Sequence, residues 1–370
     1  MKYQQPASFK AKLIAASVIV VLALATAALP MMSVFAGSCT AVTGNWNAPA
    51  TWSAGCTGTG GVPGAGDTAT IPTGVTVTVP SGDTESVGSL TVTGTGTLTN
   101  NGTLTVSTAL SGTGTFTNAA TGALNLGGTT TVTTLTASAA GNTVNYTGAG
   151  QTLKNTSYAN LTLSGSGTDV MGNAIAVSGN LALSGTVATT TAANLTIGGS
   201  LNVGSGTTFT TGANYTLGVT GTTTVDGILA LSNTGAKTFT GDVTVDNGGT
   251  WSEGTGAINY AGSLTNNGTF TASTGLHTFI GATKTIGGAN LISIPSATFT
   301  GAYTNNGTFT VATALTVTGT TLTNDGTLSA TTSLAGTGGV VQGAAASVLN
   351  IGGTSTMATL DASTNSGNTV

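Results

Sequence analysis

Arginine is absent from this 370-residue chain, and charge of either sign is scarce: six lysines, ten acidic residues and one histidine, with charged residues at 4%. Nucleic-acid binding draws on basic side chains that displace counterions from phosphates, so that class of partner is excluded. Recognition of phosphate by a guanidinium fork is excluded with it. The single histidine, His277, has neither a second imidazole nor a cysteine near it in sequence. A zinc-type ligand set is therefore not spelled out, and His277 is expected to be an ordinary surface or turn residue. No cofactor is implied.

Low charge with 58 glycines raises the question of low-complexity disorder. Disordered chains combine low hydrophobicity with high net charge. Here 39% of residues are hydrophobic, mean hydropathy is +0.31, and the polar residues are mostly threonine, a good strand former. A folded, almost uncharged β structure is the expectation.

Residues 1–36 have the layout of an export signal. Lys2, Lys10 and Lys12 precede an apolar run from Leu13 to Leu29, and Val34-Phe35-Ala36 offers small or apolar residues before a cleavage point at Gly37. Cleavage is favoured over an uncleaved anchor by the Pro30 break. Without the leader, three lysines face ten acids, a net charge of −7. The expected location is extracellular or at the cell surface, with membrane contact only through this signal or an unseen anchor.

What the chain has in abundance is rhythm. Glycine opens alternating segments at Gly179, Gly199, Gly221, Gly241, Gly262, Gly281, Gly301 and Gly319, with gaps of 18 to 22 residues. Alternation within a segment means strand, and a fixed period near twenty between segments means a stacked solenoid. Leu, Val, Ile and Phe are expected to point inward and threonines outward, with Leu181 over Leu201 and Val225 over Val245. About fifteen coils at ~4.8 Å each predict a rod of roughly 70 Å. Asn101-Gly102, Asn267-Gly268, Asn306-Gly307 and Asp325-Gly326 supply turn residues at the corners.

Residues 37–75 differ in texture. They hold both cysteines, Cys39 and Cys56, and two of the three tryptophans, Trp46 and Trp52. In an exported protein a Cys39–Cys56 disulfide is the simplest use of the pair, worth roughly 3 kcal/mol in the chain-entropy model. This segment is expected to cap the first coil, which otherwise exposes apolar core and an unpaired edge. The solenoid is assigned to 76–370.

A longer repeat overlies the short one. Thr97-Leu98-Thr99-Asn100 returns at Thr321-Leu322-Thr323-Asn324, an offset of 224, and Gly141-Asn142-Thr143-Val144 returns at Gly367-Asn368-Thr369-Val370, an offset of 226. The second copy breaks off at Val370, and the expectation is that the solenoid continues in a longer protein.

Two resemblances follow from these strings. The opening, with its tryptophan-containing turn and Pro63-Gly64-Ala65-Gly66-Asp67, resembles that of bacterial surface β-helix proteins, and is similar to the start of the eight-glycine extracellular domain. The body, with "GNLALSG"- and "TNNGTLTV"-like strings, resembles filamentous-haemagglutinin and autotransporter-passenger adhesins. That resemblance implies a right-handed parallel β-helix (all-β), displayed on a cell surface and meeting host or neighbouring-cell glycans or proteins.

Parallel β-helices also host polysaccharide-cleaving enzymes, whose sites need clustered carboxylates or a carboxylate with basic partners. Asp226 and Asp246 lie 20 apart, so they are expected to stack, with Asp242 nearby. They are the one candidate for a calcium site or an acid/base pair; the competing reading makes them exposed turn residues that aid solubility. The expectation is a non-enzymatic structural or adhesive rod. The alternatives are a carbohydrate-active enzyme and an ice- or glycan-binding solenoid, the last needing one face selectively rich in threonine.

Overall fold

A computed structural model describes residues 36–363 and 365–370. Of the expected leader, only Ala36 falls among them. Apart from one short 3-10 turn, Pro49–Thr51, the regular elements of the described residues are all strands, and every ladder between them is parallel. Among the described residues no helix is long and apolar enough to cross a membrane.

Each coil has three strands, one on each of three faces. In a representative coil the chain passes along Thr186–Thr190 on face A, Leu195–Ile197 on face B and Leu201–Val203 on face C. It then returns to face A at Thr208–Thr210, in register above Ala188–Thr190. Side chains alternate in and out along every strand, as a period of two requires. Leu181 pairs with Leu201 and Val225 with Val245, and all four are buried. The core is thus a set of inward columns running up the coils. One is aromatic: Phe239, Tyr260, Phe279 and Phe299 follow one another on face B, with centroids 6.0, 5.2 and 4.5 Å apart.

The glycine beat has a steric cause. Gly179, Gly199, Gly221, Gly241 and Gly262 stack at the corner between faces B and C, where the backbone of the preceding coil approaches closely. A Cβ on Gly199 would reach within 2.7 Å of the Gly179 backbone, and one on Gly221 within 2.7 Å of that of Gly199. None of these five has a positive φ. They are glycine because the neighbouring coil leaves no space for a side chain.

Faces B and C pair without interruption. Face B runs from Gly44–Asn45 to the start of Thr354–Asp361, bridged at one step by Ala137 and Tyr158. Face C runs from the start of Thr84–Val92 to the end of Thr354–Asp361. Face A is interrupted. Its middle block, from Ser166–Val170 to Thr269–Thr271, is a separate six-stranded sheet. Below it, Gln151 stands where ladder bonds would be. Its Nε2 donates to Leu126 O at 3.0 Å and Gly128 O at 2.7 Å, while its Oε1 accepts from Gly148 N at 2.6 Å.

At the amino-terminal end, Ser38–Thr40 pairs with Thr68–Ile71 on face A and Gly44–Asn45 with Thr76–Val79 on face B. Cys39 and Cys56 form a disulfide with Cα atoms 5.3 Å apart. Trp46 is fully buried and meets Trp52 edge-on at 4.8 Å, and Trp52 Nε1 donates to Trp46 O at 2.7 Å.

Candidate functional site

The outer surface is built of hydroxyl columns, because threonine occupies so many outward strand positions. They are most regular on the first four full coils of face B. Thr76, Thr97, Thr115 and Thr134 stack in one column, and Thr78, Thr99, Thr117 and Thr136 in the next. None of the eight is buried, and Thr97 Oγ1 donates to Thr76 Oγ1 at 3.0 Å. Rungs ~4.8 Å apart and alternate residues ~7 Å apart make a flat, uncharged grid. On face C of the same coils the outward columns are Thr84, Thr103, Ala123 and Thr143, and Ser86, Thr105, Asn125 and Asn145. Two adjacent columns made entirely of threonine are found on these coils at face B and not at face C.

A second feature is a cleft of about 440 Å³ where face A parts. Its walls are Gly127, Gly128 and Thr129–Thr130 on one coil and Ala149, Gly150 and Gln151 on the next. Below it lie buried polar groups. Tyr146 and Tyr158 share a hydrogen bond at 2.9 Å, and Tyr158 donates to Lys154 O at 2.6 Å. Asp169 is buried with Oδ1 accepting from Gln151 N at 2.7 Å, and burial pushes its carboxyl above the usual carboxylate range.

The structure separates the three aspartates that the sequence grouped. Asp226 and Asp246 follow Val225 and Val245 at one corner and lie side by side. Burial, and then the charge of Asp246, raise the Asp226 carboxyl. Asp242 begins the same strand at its other end, where it accepts from Ser263 N at 2.8 Å and faces Lys284 Nζ at 3.3 Å. The Ser263 hydrogen bond, opposed by burial and helped by Lys284, holds its carboxyl low. Asp226 and Asp246 are half-buried and Asp242 is exposed. Asp242 is therefore not near the pair. Among the described residues no three histidine, cysteine or acidic side chains gather as a metal site would need.

The expectation for His277 is corrected. It is fully buried on the inward side of face B, level with Ile258 and Ala297. Its Nε2 lies 2.8 Å from Glu253 Oε2, with both side chains out of solvent, and its ring stacks on Tyr260 at 6.4 Å. Glu253 Oε1 also accepts from Trp251 Nε1 at 2.7 Å. Period two carries the signal: His277 precedes Phe279 by two and so shares its inward side.

Inward asparagines are the other feature that sequence reasoning missed. Asn100 Nδ2 donates to Asn118 Oδ1 at 2.8 Å and to Ala123 O at 3.0 Å. Asn324 Nδ2 donates to Gln342 Oε1 at 2.6 Å and to Val348 O at 2.8 Å. All four side chains are buried; Asn324 Oδ1 also accepts from Asn305 Nδ2 at 2.8 Å, whereas Asn100 Oδ1 has no hydrogen-bond partner among the described residues. Comparison with protein-family models, with curated proteins and with solved structures finds no match.

Proposed function

We propose that this chain is an exported, surface-displayed rod that holds an uncharged, hydroxyl-lined surface away from the cell for adhesion. The observation that carries this reading is the unbroken parallel register of faces B and C from coil to coil. Such a stack gives length and stiffness in proportion to coil number, which suits a spacer. Its natural partner is the neutral glycan coat of a host or neighbouring cell, met through rows of hydroxyls. Chemistry at a reacting centre calls for preorganised charge near the catalytic carboxylate. Among the described residues Asp226 and Asp246 have each other and no cation, so the rod is proposed to bind without cleaving.

The test immobilises the exported protein and measures retention of cells and of neutral polysaccharides. Binding is expected, and it should change little between low and high salt because few charges are available to screen. Thr97→Lys with Thr115→Lys should weaken it at least tenfold. Retention only of purified surface proteins would move the partner from glycan to protein. Glycan cleavage that is lost when Asp226, Asp242 and Asp246 are replaced by Asn would overturn the reading.

One observation favours a second reading, ice binding: eight threonines fill two adjacent outward columns on face B over four consecutive coils. Ice growth arrested by the protein and restored by Thr97→Lys would support it. Unhindered growth rejects it.

A further inference from the structure

The end-piece contains a buried carboxylate that no cation among the described residues faces. Asp67 is fully buried. Its Oδ1 accepts from Gly37 N at 2.6 Å and Thr57 Oγ1 at 2.6 Å, and its Oδ2 from Thr57 N at 2.7 Å and Gly64 N at 2.9 Å. The Cys39 sulfur lies 3.8 Å from Oδ2. Burial pushes the carboxyl up, and the hydrogen bonds from Thr57, Gly64 and Gly37 outweigh it, so Asp67 titrates below its ordinary range. Every group facing it among the described residues is neutral, and a buried charge is ordinarily paired.

One of those donors lies at the point where the leader pattern places a cut. Ala36 is exposed while Gly37 is partly buried. A Cβ on Gly37 would collide with Gly55 O and lie 2.9 Å from Asp67 Oδ1, so only glycine fits there. We propose that the Ala36–Gly37 bond is a processing site, and that cutting it turns the Gly37 nitrogen into an α-ammonium that pairs with Asp67 and locks the end-piece. The reaction is peptide hydrolysis by a leader peptidase before the end-piece folds. Water oxygen bonds to the Ala36 carbonyl carbon, the C–N bond breaks, and the Gly37 nitrogen takes up protons. An amide N–H donor then becomes a cation at the same place, and the pair is charge-assisted. The processing half of the proposal rests on the export reading, whereas the ion pair does not.

Two chains separate the halves. One begins at Gly37 and the other retains Ala36, both released from a removable tag and otherwise complete to Val370. In the first, the Gly37 α-amine, followed by nitrogen NMR, should titrate at least one unit above the ordinary ~8, a tenfold tighter hold on its proton. Its denaturation midpoint near pH 7 should exceed that of the Ala36 chain, and the gain should vanish as pH rises through the raised value. Asp67→Asn should remove the difference. Should that variant not fold, the comparison of the two starts decides alone. An ordinary α-amine titration, or equal midpoints, overturns the ion pair. Separately, the mass of the exported precursor's product should place its first residue at Gly37. A different first residue, or a retained leader, overturns the processing site, and the retained leader contradicts the export reading as well.

Discussion

The two copies of the long repeat use the same words on different faces. Thr97–Asn100 lies on face B, whereas Thr321–Asn324 lies on face C. Eleven coil steps along face B separate Thr97–Asn100 from the Ala314–Val317 half of its strand, and Thr321–Asn324 is one face further on. An offset of 224 residues is therefore eleven and one-third turns. The rotated copy repeats the contacts to the following coil, while the preceding coil differs: Asn305 donates to Asn324 Oδ1, whereas Asn100 pairs with Val79. Asn100 bonds to Asn118 and to the Ala123 carbonyl; Asn324 bonds to Gln342 and to the Val348 carbonyl. The lesson is that these side chains encode inward or outward and the corner amides, while the face is set by the count of strands before them. Faces B and C accept the same segment.

If interior order matters and the face does not, the largest losses should come from interior polar groups that neither copy repeats. Glu253→Ala leaves His277 buried without its carboxylate and Trp251 Nε1 without its acceptor. It is expected to cost about 3–5 kcal/mol in chemical denaturation. Next come the matched positions. Asn100→Ala and Asn324→Ala should each cost about 1–3 kcal/mol by orphaning buried partners, with Asn324→Ala the larger because Asn305 Nδ2 also loses an acceptor. A loss at one and tolerance at the other would break the equivalence.

A smaller effect is expected at the Asp226–Asp246 pair. The Asp226 carboxyl is raised by burial and by Asp246, so the folded state holds that proton more tightly than the unfolded state does. The pair therefore lowers stability at neutral pH, and its cost fades as pH falls through the raised value. Asp226→Asn should raise the midpoint at pH 7 by roughly a few tenths of a kcal/mol, discounted for partial exposure, and flatten that part of the pH profile. The smallest changes belong to outward columns: Thr99→Ser and Thr323→Ser should each stay within about 0.5 kcal/mol of the parent.

The period, the strand parity and the pairs Leu181–Leu201 and Val225–Val245 were legible in the sequence, because alternation and spacing are properties of the chain alone. The same parity would have turned Asn100 inward two places after Leu98, and His277 inward two places before Phe279. Asn100 was obscured by the Asn101-Gly102 turn signal that follows it, and His277 because a lone histidine is usually at the surface. The parting of Asp242 from Asp226 and Asp246 follows from strand geometry. Four residues along one strand put Asp242 and Asp246 ~13 Å apart, at opposite ends of the face. What the sequence could not disclose is how many residues each corner consumes. That count decides which face a segment reaches, and it depends on contacts with the coil below, such as the Gln151 side chain that parts face A.

Parallel coils add height at a constant rate along one face. Thr99, Thr196, Thr238, Thr278 and Thr316 occupy the same outward column of face B, at five, seven, nine and eleven steps from Thr99. Spin labels placed on Thr99→Cys paired in turn with cysteine at each of the other four should give distances of about 24, 34, 43 and 53 Å, a straight line of ~4.8 Å per coil. Distances that level off or fall as the steps increase would mean that the chain folds back on itself, and the rod would be contradicted.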